Sequence, residues 1–284
     1  MIKLVLTDLD NTLIAHEPGA PFDEAVITDE GLTAIRALLD AGVHFGPSTG
    51  RGPASMAQTF RDQAWAYASG AYANGQLIYV DNRVAHEEWC SAEVLQRVAD
   101  IVDEQPYGIM VIFNLENDQA SWGVSRNPEK IAAYSGRRFV SRVEPCVTAP
   151  SMKTIIRMGT DVTNTPILRN LLAAEVPELD FVMPSPNAAV IDITPKGYGK
   201  GDGVRIMAET LGIGLDEVAV FGDADNDLSM LQAVPNSIAV ANASEAAAAA
   251  ARWHIGDACE QSVAKAMAEI AEASARDELP AFMR

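Results

Sequence analysis

The sequence predicts an α/β fold in which a Rossmann-like core with a parallel sheet is interrupted by a large inserted α+β domain. Short apolar runs alternate with helical segments near both ends of the chain, which is typical of a parallel sheet. Between these regions, pairs of strands lie between helices, as in an antiparallel α+β module. We therefore expect a core of residues 1–82 and 189–284 and an inserted cap domain of residues 83–188.

The first part of the core begins with a buried strand over residues 2–7 and a helix over about 28–41. Thr28 is suited to the N-cap position, where its hydroxyl can accept a backbone N–H bond. Gly42 ends the helix. The alternation then continues with a short strand that leads to Ser48, a helix that begins at Pro53 and a strand over residues 76–80.

The inserted region has helix and strand signals in a different order. Asn127-Pro128 and Thr165-Pro166 each combine an N-cap residue with a first-turn proline. The expected helices are 91–104, 127–135 and 165–174, and the expected strands are 108–114, 120–125, 138–143, 153–158 and 179–184. The simple alternation returns with strands at 189–193, 217–221 and 237–240 and helices at 200–211, 226–232, 244–251 and 260–275.

Composition narrows the range of partners. The 284-residue chain has a net charge of −18, which argues against nucleic acid or an anionic membrane as the main partner. A small anionic substrate stays compatible, because a bound cation can invert the local field. We find no apolar run long enough to span a bilayer and no signal peptide, and the three separated cysteines fit reduced thiols. These features predict a cytoplasmic protein.

Asp8 and Asp10 follow the first predicted strand and are two residues apart. In extended geometry this spacing places both side chains on one side of the strand. Two close carboxylates repel each other, so the pKa of one rises unless a cation neutralises them. With Mg²⁺, one carboxylate can act as a nucleophile that forms an aspartyl-phosphate, while the other carries a proton. A solvated Asp-rich turn is the alternative for this segment taken alone.

A second acidic cluster, which contains Asp223, Asp225 and Asp227, follows the strand at 217–221. A calcium loop is the alternative, but the EF-hand spacing requires Gly at its sixth position and Glu at its twelfth. Counted from Asp223, those positions hold Leu228 and Val234. Because strand ends of a parallel sheet meet in one crevice, a hard-cation site shared by both acidic segments is the better account.

Thr49 and Lys200 are candidates to bind a phosphate group. Thr49 offers a hydroxyl, and its neighbours offer backbone N–H groups near a predicted helix start, which is a favourable anion site. Lys200 lies between two glycines, which would let a ligand approach. Taken alone, Thr49 reads as a helix cap and Lys200 as a solvated charge, and Lys196 is a competing candidate for the lysine.

Together these segments resemble the motifs of the haloacid-dehalogenase superfamily. The resemblance rests on Asp8-x-Asp10-x-Thr12, Thr49-Gly50-Arg51, Lys200-Gly201 and Gly222-Asp223-x-x-Asn226-Asp227, in this order. The long insertion between the second and third motifs, with Asn74-Gly75 before it and Asn242-Ala243 near the end, resembles the Cof-type phosphatases. The motif order covers nearly the whole chain, and the resemblance implies the superfamily's core fold with an inserted cap.

The resemblance also implies a mechanism for each motif. Asp8 would attack phosphorus, and Asp10 would protonate the leaving oxygen and later deprotonate a water molecule. Mg²⁺ would be held by the Asp8 carboxylate, the Asp10 backbone carbonyl and Asp223. Thr49 and Lys200 would bind the phosphoryl oxygens. Supporting or substrate-binding roles would fall to Thr12, Gly50, Arg51, Asn74, Gly75, Asn226, Asp227 and Asn242.

Two departures from the family pattern stand out. Asn11 lies where Cof-type members more often have Gly. Gly46-Pro47 lies where the second strand usually runs apolar, and a proline removes one donor from the strand ladder. We expect the second departure to affect the strand geometry beside Thr49 rather than the chemistry.

The inserted domain is expected to act as a cap that excludes water and selects the leaving group. For every candidate residue, core packing or a solvated charge is the alternative. His16 follows the first motif closely enough to line the pocket, although a surface position is favoured. The candidate substrate contacts in the cap are Trp89, Met110, Trp122, Arg126, Arg137 and Arg138.

The sequence therefore predicts a Mg²⁺-dependent phosphomonoester hydrolase that acts on a small phosphorylated metabolite, such as a sugar phosphate or a cofactor phosphate. A phosphomutase or a dedicated sugar-phosphate phosphatase would share its motifs. A non-catalytic sensor of a phosphorylated ligand is disfavoured, because Asp8, Asp10, Lys200 and Asp223 are all present. A receiver-type phospho-switch would need a shorter domain. The oligomeric state stays open between monomer and dimer.

Overall fold

The computed structural model describes residues 1–16, 25–137, 139–159, 162–184 and 188–284. The chain divides into two compact units. The larger unit contains residues 1–51, 55–86 and 199–284, and the smaller unit contains residues 52–54 and 87–198. Within the described ranges, every helix is too short or too polar to cross a membrane.

Regular elements extend along most of the described chain. In chain order, the strands are β1 (Leu4–Thr7), β2 (His44–Pro47), β3 (Gly70–Tyr72), β4 (Leu77–Val80), β5 (Arg83–Glu87), β6 (Ile109–Ile112), β7 (Trp122–Val124), β8 (Arg142–Glu144), β9 (Thr154–Arg157), β10 (Leu179–Val182), β11 (Val190–Pro195), β12 (Val218–Gly222), β13 (Asn236–Ala239) and β14 (Trp253–His254). The helices are α1 (Asp29–Asp40), α2 (Met56–Thr59), α3 (Ala92–Glu104), α4 (Pro128–Tyr134), α5 (Thr165–Glu175), α6 (Lys200–Leu211), α7 (Leu228–Ala233), α8 (Glu245–Ala250) and α9 (Ser262–Ser274).

The larger unit is built on a parallel sheet with the strand order β14-β13-β12-β1-β2. This sheet confirms the predicted α/β class. Strand β1 is fully buried because its neighbours pair along both edges, Leu4 with Val218 on one side and with His44 on the other. The chain continues from β1 to β2 on one side of β1, and it later returns to β12 on the other side. The carboxyl ends of β1, β2 and β12 therefore flank a topological switch point, where open α/β sheets bind ligands.

Helices pack against this sheet through apolar side chains. Leu4, Leu6 and Val220 form one cluster with Val204 and Met207 of α6. Elsewhere in the unit, α1 packs against α9. The predicted cap of α1 is confirmed, because the Thr28 side chain accepts the Gly31 N–H bond at 3.1 Å.

The smaller unit contains a mixed sheet with the order β10-β11-β9-β6-β7-β8. Most neighbouring strands in it are antiparallel, as expected, but β7 and β8 pair in parallel. Helices α3 and α5 bury Leu95, Val98 and Leu168 in an apolar cluster with Met110 and Ile156 of the sheet.

Strand β11 corrects the interpretation that residues 189–193 return to the core sheet. It lies between β10 and β9 and pairs antiparallel with both. An apolar run shows that a strand is buried but does not show which sheet it joins. The observed division at residue 199 therefore falls later than the expected boundary at residue 189.

Three short strands of the larger unit, β3, β5 and β14, were not predicted. Strands β3, β4 and β5 form a small sheet in that order. Gly70–Tyr72 is only three residues long, and Arg83–Glu87 is largely exposed and polar, so neither has a strong strand pattern. The helix predicted to begin at Pro53 is a 3₁₀ turn over Pro53–Ser55 followed by the four-residue helix α2.

The start of α6 packs directly against the start of α7. Gly201 donates its N–H group to the Ser229 hydroxyl at 3.0 Å. A Cβ atom on Gly201 would lie 2.7 Å from the Ser229 carbonyl carbon, and backbone cannot move aside as a flexible side chain can. The glycine is therefore required by helix packing.

We expect Gly201→Ala to lower the free energy of unfolding by about 1–3 kcal/mol because the new methyl group overpacks the contact with α7. Helix propensity alone would act in the opposite direction, by up to about 1 kcal/mol. Urea unfolding measures the difference. Glu209→Ala, an exposed substitution in the same helix, serves as the control and should change stability by no more than about 0.5 kcal/mol. A Gly201→Ala protein as stable as the parent would contradict the packing argument.

Candidate active site

A buried ion group lies at the carboxyl end of the parallel sheet. The Lys200 ammonium donates to Asp8 Oδ1 and to Asp227 Oδ1, each at 2.6 Å. The Lys200 side chain is 0% exposed, and those of Asp8 and Asp227 are 8% and 0% exposed. Because a buried charge without a partner is strongly unfavourable, the two carboxylates and the ammonium require one another.

Each member of this group is positioned by a different element. Asp8 directly follows β1, and its N–H group donates to Phe221 O of β12 at 2.9 Å. Lys200 is the first residue of α6. Asp227 ends the 3₁₀ turn Asp225–Asp227, and its Oδ2 accepts N–H bonds from Asp223 at 2.9 Å and Ala224 at 3.0 Å.

A third carboxylate completes an acidic cluster. Asp223 Oδ1 accepts a hydrogen bond from the Thr12 hydroxyl at 2.8 Å, which ties the turn after β1 to the end of β12. One carboxylate oxygen each from Asp8, Asp223 and Asp227 lie within 4.8 Å of one another. Hard divalent cations such as Mg²⁺ bind oxygen ligands of this kind.

The cluster contains three carboxylates, those of Asp8, Asp223 and Asp227, and one ammonium, that of Lys200, so its negative charge is in excess. Burial raises the pKa of Asp8 well above its ordinary value in spite of the opposing effect of Lys200, and the neighbouring carboxylates add to the rise. Burial and the Asp227 charge raise the pKa of Asp223 to about 7. Burial alone would lower the pKa of Lys200, but Asp227 and Asp8 raise it, so the ammonium stays charged. A divalent cation would supply the missing positive charge.

Asp10 lies outside this cluster and is bound by Arg51 and His16. We call these three residues the Asp10 clamp. Arg51 donates from Nε to Asp10 Oδ2 at 2.9 Å and from Nη2 to Oδ1. His16 Nε2 lies 2.7 Å from Oδ1. Burial alone would raise the pKa of Asp10, but the bonds from His16 and Arg51 lower it. The surface position favoured for His16 is wrong, because its side chain is only 5% exposed.

Thr49 is buried beside the clamp. Its hydroxyl accepts the Arg51 N–H bond at 3.1 Å, and its own N–H group donates to Ala71 O at 2.9 Å. The Arg51 N–H group is therefore already bonded, and a 3₁₀ turn stands where a regular helix was expected. The Thr49 hydroxyl proton stays available to a ligand, since a hydroxyl can donate while it accepts.

Residues after β3 support this segment. Asn74 donates its N–H group to Thr49 O at 2.9 Å and adopts a left-handed conformation with φ of 57°. Gly75, with φ of 89°, follows it, and a Cβ atom there would lie 2.9 Å from Gly199 O. Gly50 lies between Thr49 and Arg51 and is half-buried. These residues position the backbone around Thr49.

The glycines that flank Lys200 have a different role from the expected one. Gly201 makes room for α7, as described above, and a Cβ atom on Gly199 would lie 3.1 Å from the Ser229 hydroxyl. They accommodate protein rather than a ligand. The competing lysine, Lys196, is exposed and pairs with Asp180 at 2.6 Å.

Asn242 links distant parts of the larger unit. Its amide nitrogen donates to Asn11 O at 2.8 Å, and its amide oxygen accepts the Ala258 N–H bond at 2.9 Å. Asn11 has a φ of 60°, a left-handed conformation that Asn tolerates well. Asn226 is half-buried in the turn that carries Asp227.

The candidate substrate contacts of the inserted region lie in varied surroundings. Met110 is fully buried in the apolar cluster with α3 and α5, so core packing explains it. Arg126 pairs with Asp100, and Arg137 donates to Ala133 O at 3.1 Å on the surface. Trp122 is half-buried beneath Arg142, whereas Trp89 is 46% exposed. Arg138 lies outside the described residues.

Comparison with known proteins assigns the chain to a family. The sequence model of the family described as haloacid dehalogenase-like hydrolase matches residues 5–267 of the chain. A 5-amino-6-(5-phospho-D-ribitylamino)uracil phosphatase of Bacillus subtilis is 26% identical over 278 residues, which is 94% of each chain. An HMP-PP phosphatase of an Enterobacter species is 26% identical and covers 86% of this chain and 85% of its own.

Solved structures show the same fold. A haloacid dehalogenase-like hydrolase from B. subtilis superposes with a TM-score of 0.73 at 18% identity and covers 94% of this chain and 99% of its own. A subclass IIB sugar phosphatase of the HAD superfamily gives a TM-score of 0.71 at 22% identity, with 93% of this chain and 97% of its own covered. Both likenesses establish the arrangement of elements rather than the chemistry.

The raised pKa of Asp223 predicts a pH-dependent stability in the presence of a chelator. Between its ordinary value near 4 and the folded-state value of about 7, the folded chain binds more protons at Asp223 than the unfolded chain. The stabilising contribution is therefore complete at low pH and is lost as the pH rises toward 7. We expect the free energy of unfolding of the parent, measured relative to Asp223→Asn, to fall over this interval.

Urea unfolding at several pH values in chelator measures this difference. Asp216→Asn, at an exposed carboxylate of the larger unit, is the matched control and should give a curve parallel to that of the parent. Parallel curves for the parent and Asp223→Asn would show that Asp223 is not the titrating group.

Proposed function

We propose a two-step hydrolysis of phosphate monoesters for this chain, which belongs to the Cof-type haloacid dehalogenase-like hydrolases and is a phosphatase. The observation that carries the proposal is the buried group in which Lys200 joins Asp8 to Asp227 beside Asp223. It combines a nucleophile, positive charge and oxygen ligands for a cation at one end of the sheet.

In the first step, an Asp8 carboxylate oxygen attacks phosphorus, and the bond from phosphorus to the ester oxygen breaks. Asp8 Oδ1 accepts the Lys200 bond, so we assign the attack to Oδ2. Asp10 gives its proton to the ester oxygen, which leaves as an alcohol. The product is an aspartyl-phosphate on Asp8.

In the second step, water attacks the phosphorus of this intermediate. Asp10, now ionised, takes a proton from the water, and the bond from phosphorus to Asp8 breaks. Inorganic phosphate leaves and the Asp8 carboxylate is regenerated. The contacts that lower the pKa of Asp10 favour the ionised form needed here.

Lys200 and Thr49 are assigned to the phosphoryl oxygens. An ammonium has three N–H donors, and two of those on Lys200 bind Asp8 and Asp227. We assign the third to a phosphoryl oxygen, and the Thr49 hydroxyl can donate a second bond. Donors that are already fixed stabilise the charge that spreads over these oxygens in the transition state.

The acidic cluster fits a resident Mg²⁺ ion, because its carboxylate oxygens lie close together and its three carboxylates share the single ammonium of Lys200. We assign the ion to the Asp8 carboxylate, the Asp10 backbone carbonyl and Asp223, with Asp227 and Asn226 in support. When bound, Mg²⁺ would neutralise the carboxylates, so that Asp8 stays ionised, and would polarise the phosphoryl group.

The proposed substrate is a small phosphorylated metabolite. The two curated relatives are named for a phosphorylated ribitylaminouracil and for HMP-PP, and one structural neighbour is a sugar phosphatase. We therefore propose a sugar phosphate or a cofactor-related phosphate, and we assign the choice of leaving group to the smaller unit.

We expect Asp8→Asn to lower kcat for phosphate release by about 10³-fold or more, because an amide oxygen cannot serve as the nucleophile. The assay measures phosphate released with Mg²⁺ from sugar phosphates, nucleotides, pyridoxal phosphate and p-nitrophenyl phosphate. Asp40→Asn, at an exposed position of α1, is the control and should retain full activity. Near-normal turnover by a folded Asp8→Asn protein would refute the nucleophile assignment.

Removal of divalent cations with a chelator should abolish phosphate release from every ester in this panel, and added Mg²⁺ should restore it. The same titration, followed by calorimetry, should show Mg²⁺ binding to the parent and much weaker binding to Asp223→Asn, since the variant lacks one carboxylate ligand. Full activity in excess chelator would exclude the proposed metal site.

A further inference from the structure

His16 has a buried side chain in the site, and the family motifs do not include it. It lies six residues beyond Asp10, past the end of the first motif. Its Nε2 atom is 2.7 Å from Asp10 Oδ1, and its side chain is 5% exposed. Since an ionised carboxylate only accepts hydrogen bonds, Nε2 must carry a proton and donate it.

The Asp10 clamp is anchored beyond Asp10 itself. Arg51 also donates from Nη1 to the Thr59 hydroxyl at 2.9 Å, and that hydroxyl donates to Ser55 O at 2.9 Å. The guanidinium is therefore fixed at one end by α2 and at the other by Asp10. His16 adds a donor from the turn that follows β1, so the carboxylate is held from two separate segments.

The donors are unequally divided between the two oxygens of Asp10. Among the described residues, Oδ1 accepts from both His16 and Arg51 Nη2, whereas Oδ2 accepts from Arg51 Nε alone. A carboxylate oxygen has two lone pairs that accept well. Oδ1 is therefore saturated, and one lone pair of Oδ2 is left to exchange a proton.

We propose that His16 is a positioning residue, which saturates Asp10 Oδ1 and so fixes Oδ2 as the oxygen that gives the proton to the leaving alcohol and takes it back from water. This inference rests on the proposed function, in which Asp10 is the general acid and base. His16 exchanges no proton with the substrate. Without its bond, each Asp10 oxygen accepts only one bond from Arg51, so the two oxygens become equivalent and either one can exchange the proton.

The readout that separates positioning from a structural role is the dependence on the leaving group. An alkyl phosphate needs a proton on its leaving oxygen, whereas p-nitrophenolate leaves without one. The parameter kcat/KM reports steps up to departure of the leaving group and excludes hydrolysis of the intermediate. A misplaced Asp10 should therefore lower kcat/KM for the alkyl ester and spare it for the aryl ester.

The test compares p-nitrophenyl phosphate with the alkyl phosphate of the panel that the parent hydrolyses with the highest kcat/KM. For His16→Phe, which keeps a ring but lacks the donor, we expect a fall of about tenfold or more with the alkyl ester, since general acid catalysis contributes about 10²–10⁴-fold. With the aryl ester we expect a change of less than about threefold. His16→Gln, whose amide nitrogen can replace Nε2, should restore most of the alkyl activity.

Matched controls keep the outcomes separable. His254→Phe removes a histidine that is exposed and bonded to Ala248 O, and it should leave both esters unaffected. An equal fall for both esters with His16→Phe, or no fall for either, would overturn the inference. If Asp8→Asn kept its activity, the proposed function itself would fail. If Asp8→Asn is inactive and His16→Phe does not discriminate between the esters, only the role of His16 is lost.

Discussion

The buried contact of Lys200 with Asp8 and Asp227 is the constraint on which the rest of the larger unit depends. It joins the start of α6, the end of β1 and the turn after β12, which come from three separate parts of the chain. Removal of one partner from such a group leaves an unpaired charge in a buried site. Gly201 follows Lys200 directly, and its lack of a side chain lets the start of α6 pack against Ser229 of α7.

The two catalytic carboxylates proposed here are separated by their surroundings rather than by distance along the chain. Asp8 lies with other acids in a buried cluster, so its pKa rises. Asp10 lies between an arginine and a histidine, so its pKa falls. The acidic cluster around Asp8 favours binding of a cation, whereas the bonds from Arg51 and His16 hold the Asp10 carboxylate in one orientation. Two aspartates only two residues apart thereby acquire different chemistry.

Much of this arrangement follows from local sequence. Acidic residues directly after β1 and β12 were predictable as neighbours, because the ends of parallel strands meet at one edge. The bond from Arg51 to Asp10 spans 41 residues, and a lone histidine carries no spacing signal, so the Asp10 clamp was not predictable. The prediction that β11 belongs to the core sheet was wrong for a related reason. Its apolar residues show that the strand is buried but not which strands it pairs with.

The amide of Asn242 links Asn11 to Ala258, in the segment after β14, and β1 pairs with a strand that begins at Val218. During synthesis, the first motif therefore emerges long before its partners exist. The smaller unit is almost continuous in sequence, from residue 87 to 198. Because domains generally fold as units, we expect it to fold before β12 and the partners of Asp8 have been synthesised. Completion of the larger unit then requires β1 to pair with β12, whose residues are more distant in sequence than the whole insertion. Contacts between residues so far apart in sequence form slowly. We therefore expect the site to be among the last parts of the molecule to form.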